Sequence, residues 1–242
     1  MKEAIYTIPV NEAFAEGKGD CPFCVMRRKL NENSIEFVMG PSYMEDDVRT
    51  ATNKSGFCAA HMNEMYQKPN RLGLALMTHT HLMEVNRVLD SKLKNAIGVK
   101  KKLFGGKKGS ASADAAEYLK NLENSCYICA RTDDIFDRYV DTYFHLWKKD
   151  SQMKNLTEAC AGFCFNHFAM LLDAGEKKLS SSEFNDFLQT VVHLQLNGLR
   201  ELEGDLGWFI DKFDYRFVNE PWKNSKDALI HALKKISSVT VQ

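Results

Sequence analysis

A chain of 242 residues with 44% hydrophobic and 26% charged side chains has the composition of a soluble globular protein, long enough to bury a substantial core and too apolar for global disorder. Its 32 basic and 32 acidic residues cancel, which excludes an overall field drawing in a polyanion or a membrane surface. The N-terminus, Met1-Lys2-Glu3-Ala4-Ile5-Tyr6, shows no apolar run before a small-residue cleavage site, and no stretch approaches the roughly 18 apolar residues of a membrane span, so a cytoplasmic location is expected.

In chain order, Ile5 to Val10 reads as a short extended segment, rich in β-branched residues and kept to an edge by Pro9. Asn11 caps a short helix to about Glu16, Gly17-Lys18-Gly19 ends it, and Cys21-Pro22-Phe23-Cys24 follows. Val25, Met26, Leu30, Ile35, Val38 and Met39 then recur loosely at helical spacing until Gly40-Pro41-Ser42 stops the run. A helix from about Met44 to Asn53 leads into Gly56-Phe57-Cys58-Ala59-Ala60-His61. From Leu72 to Ile97 the apolar periodicity predicts a long amphipathic helix with one buried face.

Residues 98–112 change character: glycine, serine and the five lysines Lys100, Lys101, Lys102, Lys107 and Lys108 leave little to pack. This stretch reads as a linker between a first repeat, 1–97, and a second, 113–242. The second retraces the first. A helix from about Ala113 to Leu122 precedes Cys126-Tyr127-Ile128-Cys129, and Ile128, Ile135, Tyr139, Tyr143, Leu146 and Trp147 mark a strongly amphipathic helix. After a break at Asp150-Ser151 and a shorter helix comes Gly162-Phe163-Cys164-Phe165-Asn166-His167. A second long helix carries Phe187, Val191 and Leu194 to Leu206, with His193-Leu194 matching His81-Leu82. The tail from Gly207 has no counterpart. Trp208, Phe209, Phe213, Tyr215, Phe217 and Trp222 suggest a lid across both halves, and Ser225 caps a last helix.

Cysteine placement carries the chemistry. Of seven cysteines, six fall into x-x-spaced pairs with another cysteine or a histidine, a pattern foreign to a disulfide framework. The interval from Cys-x-x-Cys to Gly-Phe-Cys-x-x-His is 33 residues (Cys24 to Cys58) in one copy and 34 (Cys129 to Cys164) in the other. Three thiolates and one imidazole suit a closed tetrahedral zinc site, and each x-x spacing puts two donors one turn apart. The expectation is two zinc ions, one per repeat: Cys21, Cys24, Cys58 and His61 hold the first, and Cys126, Cys129, Cys164 and His167 the second. Iron–sulfur ligation by the same set is the rarer use. With all four positions filled by protein, the role is structural, which points away from an enzyme. The fold expected is all-α, built of duplicated helical hairpins, each closed by a Cys3His site and packed as one core.

Two other readings compete. Cys21-Pro22-Phe23-Cys24 looks like the dithiol of glutaredoxin-type proteins, which would make this a redox or metal-sensing protein, but that motif belongs after a strand within a βαβ unit, and no such unit is predicted. The linker lysines could meet nucleic acid phosphates, a reading disfavoured by the neutral chain and the lack of interleaved aromatics. A protein partner fits better than nucleic acid, and no membrane is expected. Cys160 reads as a small buried apolar residue. His81 and His193 read as core histidines satisfied by a hydrogen bond, and His79, His145 and His231 as surface or structural residues.

The twin motifs, Leu74-Ala75-Leu76, Trp208-Phe209-x-x-Lys212-Phe213-Asp214-Tyr215-Arg216 and Lys226-Asp227-Ala228-Leu229 resemble an uncharacterised bacterial family over almost the whole chain. Some members carry the label of a transporter's substrate-binding part. That label implies an export signal, which is not found here, so the resemblance speaks to architecture and assigns no catalytic residue.

Overall fold

The computed structural model describes residues 6–16, 19–97 and 111–238, and no strand occurs among them. The helices are α1 (Thr7–Glu16), α2 (Pro22–Met39), α3 (Asp46–Ser55), α4 (Ala59–Tyr66), α5 (Arg71–Ile97), α6 (Ala111–Glu123), α7 (Tyr127–Lys149), α8 (Ser151–Ala159), α9 (Phe165–Lys178), α10 (Ser181–Asp211) and α11 (Ala228–Ser237). The protein is therefore all-α, as expected. The parts come in the same order in α1–α5 as in α6–α10, with a Cys-x-x-Cys before the second helix and a Gly-Phe-Cys-x-x-His before the fourth. Most of the expected linker, 98–110, with its five lysines, lies outside the described residues.

By proximity the chain forms two compact units, Met1–Lys29 with Ile135–Gln242, and Leu30–Asp134. The divisions fall inside α2 and α7. The first unit has an aromatic core: Phe23, Tyr143, Phe144, Trp147, Phe163 and Phe187 are all essentially buried. Phe23 meets Tyr143 edge-on at 5.3 Å between centroids, and Trp147 meets Phe187 at 5.1 Å. Each such ring contributes roughly 2–3 kcal/mol by leaving water. The core of the second unit is slimmer and aliphatic, with Ile35, Val38, Met39, Met65, Met77 and Ile128 around Cys126.

The amphipathic reading of α7 holds for Ile128, Tyr139, Tyr143, Leu146 and Trp147, which are buried, while Ile135 is only part-buried and Thr132, Phe136, Val140 and Phe144 complete the buried line. Helix α10 starts where a capping box fixes it: the Ser180 hydroxyl accepts from the Glu183 N–H, and the Glu183 carboxylate accepts from the Ser180 N–H.

Three expectations need correction. Residues 7–10 are helical, not extended. Val10, Ala13 and Phe14 are buried, Phe14 stacks on Tyr143 at 5.2 Å, and Pro9 sits in the first turn, where its missing N–H is not needed. Burial there outweighs β propensity. Helix α5 does not bury all its apolar residues: Met77 is buried, while Leu72 and Leu82 are 67% and 53% exposed. Nor is the aromatic tail a buried lid. Phe213 and Tyr215 are 77% and 86% exposed, while Trp208 packs on Phe217 and Phe209 on Trp222. Beneath these rings the buried Lys212 ammonium donates to the carbonyls of Phe217, Val218 and Glu220.

Candidate metal centres

Both Gly-Phe-Cys segments turn sharply at glycine. Gly56 has φ 60° and ψ −153°, a region side chains rarely enter, and Gly162 has φ 76°. After the turn, Cys58 and Cys164 stand in extended conformation as the N-cap residues of α4 and α9. His61 and His167, three residues on, return to the cap: Cys58 Sγ to His61 Nδ1 is 3.2 Å, and Cys164 Sγ to His167 Nδ1 is 3.1 Å. In each Cys-x-x-Cys the first cysteine immediately precedes α2 or α7 and the second lies in its first turn. Four helix N-termini thus carry all eight side chains, an end of the helix that favours thiolate.

These side chains gather in two groups: Cys21, Cys24, Cys164 and His167, and Cys58, His61, Cys126 and Cys129. In both, the four donor atoms lie within 4.8 Å of one another. The expected pairing within each repeat is therefore overturned, because each group takes its Cys-x-x-Cys from one half of the sequence and its Cys-x-x-His from the other. Helix length contributes. From Cys24 to the end of α2 the chain advances about 22 Å, and the 10 residues of α3 bring it back about 15 Å. The mismatch is larger after Cys129, with 23 residues in α7 against 9 in α8. Each group nevertheless lies within one compact unit, the first in Met1–Lys29 with Ile135–Gln242 and the second in Leu30–Asp134.

The spacings fit a tetrahedron. Bonds of about 2.3 Å to sulfur and 2.0–2.1 Å to nitrogen place sulfurs about 3.8 Å apart and sulfur about 3.6 Å from nitrogen. Observed here are 3.5 Å for Cys24–Cys164 and 3.9 Å for Cys58–Cys129 between sulfurs. Sulfur to His167 Nδ1 is 3.6 Å from Cys21 and 3.3 Å from Cys24, and sulfur to His61 Nδ1 is 3.2 Å from Cys126 and 3.4 Å from Cys129.

With protons in place of an ion, each group shares them unevenly. Hydrogen bonds from Cys21 and Cys24 hold the Cys164 thiol far below its ordinary range. Burial raises Cys21 steeply, and the bond to Cys164 raises Cys24 to about 12. In the other group burial opposes ionisation of Cys126, but hydrogen bonds from His61 and the Cys129 backbone prevail and bring it down to about 6. Burial and the Cys126 charge push Cys129 up to about 12.

Several residues that support the groups escaped the sequence reading. Asn31 Oδ1 lies 2.5 Å from His61 Nε2, which fixes the ring so that Nδ1 faces the sulfurs. His167 Nε2 is buried without a partner, its ring lying against Phe23 and Phe136. Gln195 brackets the second turn, accepting from the Phe163 N–H and donating to its carbonyl, both at 2.9 Å. A buried glutamine on an apolar helix face was the available signal. His81, expected to be satisfied by a hydrogen bond, is part-buried and bonds the Asn53 carbonyl at 2.7 Å, where it backs the first turn. His193 departs from its expected role as a core histidine, being exposed and bonded to Asn197 one turn along α10. Cys160 is buried and raised to about 11 by that burial, outside either group. His79 and His231 are exposed and His145 is part-buried.

Fold and site together define an all-helical protein with two Cys3His groups shaped to hold metal ions. Among the described residues no helix is long and apolar enough to cross a membrane. The chain belongs to the family of unknown function DUF6062, whose profile matches residues 1–242. No curated protein and no solved structure matches it.

Proposed function

We propose that the protein binds two zinc ions, one in each Cys3His group, as structural cross-links of a non-enzymatic helical module that acts through a protein partner. The observation that carries this is the geometry: in both groups three sulfurs and one imidazole nitrogen lie within 4.8 Å of one another at tetrahedral spacing. Zinc suits three thiolates and an imidazole, and it brings no redox chemistry of its own. With four protein donors around each ion, no position is left for substrate, which supports a structural role over a catalytic one. Cys58 and Cys164 are the N-cap residues of α4 and α9, so each ion would tie the start of one helix to the start of another.

Metal analysis of protein purified without chelator tests this. Two zinc ions per chain are expected, and their removal should cost much of the helical circular-dichroism signal. Protein with full helicity, no metal and no uptake of added zinc would overturn the reading.

A further inference from the structure

Both groups offer the same donors, yet their surroundings differ. Around Cys21, Cys24, Cys164 and His167, all but Cys24 are buried, with Cys164 at 1% and His167 at 3% exposure. Around Cys58, His61, Cys126 and Cys129, two of the three sulfurs, Cys58 and Cys129, are part-exposed.

Helix α11 deepens the contrast. Lys234 Nζ pairs with Asp20, next to Cys21, at 3.0 Å. Lys235 Nζ donates to the Ala161 carbonyl, next to the Gly162 turn, at 2.6 Å. The Ser238 hydroxyl donates to Cys164 Sγ itself at 3.1 Å. A side chain at Gly162 would begin 3.1 Å from Gln195 Oε1 and 3.2 Å from Lys235 Nζ, so the ammonium lies close against the bare turn. The helix thus grips both segments that carry the ligands. Zinc with three thiolates has a net charge of about −1, and a nearby ammonium and a hydroxyl donor draw electron density from its sulfurs, making them poorer nucleophiles.

We infer that the two groups differ in exchange: the one at Cys58, His61, Cys126 and Cys129 gives up its ion to chelators and soft electrophiles, while α11 locks the one at Cys21, Cys24, Cys164 and His167. This rests on the metal reading above. It makes Leu30–Asp134 the part of the molecule that responds to metal supply or thiol-reactive compounds, and it makes Lys235 and Ser238 positioning residues of the locked centre.

The test uses the full chain loaded with two zinc ions, a chromogenic chelator to report release, and N-ethylmaleimide with peptide mass mapping. In the alkylation a zinc-bound sulfur adds to the maleimide double bond, the zinc–sulfur bond breaks, and the neighbouring carbon takes a proton from water. Release is expected in two phases of one ion each, with Cys58 and Cys129 labelled in the fast phase. Ser238→Ala and Lys235→Gln, each first shown to keep wild-type helicity, should speed the slow phase at least about threefold and leave the fast phase alone. Ions leaving in one phase, Cys24 or Cys164 labelled first, or a slow phase indifferent to both substitutions would sink this inference while leaving two-ion binding intact. Failure to bind zinc at all would instead defeat the reading beneath it.

Discussion

Gly56 shows how closely a single position is constrained. Its φ of 60° with ψ of −153° excludes other residues, and an added Cβ would lie 2.6 Å from His81 Nε2. His81 cannot swing away without losing its bond to the Asn53 carbonyl. Gly56→Ala should therefore cost about 3 kcal/mol in urea unfolding, and adding His81→Ala should recover the clash but not the backbone strain. Full recovery would mean the turn itself is unstrained. The thiols set a pH dependence at the same scale. Cys21 and Cys24 have raised pKa values and hold protons at pH 7, so an ion entering their group must displace both. Zinc affinity of this group should fall as pH drops, by on the order of 100-fold per pH unit for two protons. Calorimetry in buffers of different ionisation enthalpy reads the proton count, and a value near zero would contradict these assignments. The eight candidate donors were legible because x-x spacings sit within one helical turn. Asn31, Gln195 and Ser238 were not, because each acts on a residue at least 30 positions away and belongs to no local pattern.

Helices were readable where apolar residues recur on a single face, as from Ile128 to Trp147, and misread where tertiary packing overrides local preference, as in α1. Helix lengths, with α2 nearly twice as long as α3, make the pairing of Cys24 with Cys58 less direct, while the near-equal spacings of the two motifs suggested it. The segment after α10 was read as aromatic, yet a lysine organises it. The Lys212 ammonium, 7% exposed as a residue, donates to three carbonyls, of which that of Phe217 also accepts from the Glu220 N–H. Lys212→Met keeps the length and removes the donors. It should lower stability by about 2 kcal/mol, as loss of charge-assisted hydrogen bonds does, and should make 213–224 the first stretch cut in limited proteolysis. An unchanged cleavage pattern would show that ring packing alone holds the loop.

At the scale of the whole chain the two groups are nested. Cys24 and Cys164 are 140 positions apart, and between them Cys58 and Cys129 are 71 apart. Closing the inner loop shortens the outer one to about half its length, worth only about 0.6 kcal/mol of loop-closure entropy, or a factor of about 3 in affinity. The two centres should therefore bind almost independently, which lets one exchange its ion while the other holds. Nesting also separates the observed pairing from the one that the order of the motifs along the chain suggests. Replacing Cys21 and Cys164 together with serine should remove one zinc ion, because both residues serve the same centre. Replacing Cys21 and Cys58 together should remove both ions, because each disables a different centre. Pairing of each Cys-x-x-Cys with the Cys-x-x-His that next follows it predicts the reverse on both counts. Metal analysis of the two double variants, with helicity measured alongside, therefore decides which cysteines share an ion whether or not the remaining centre is weakened.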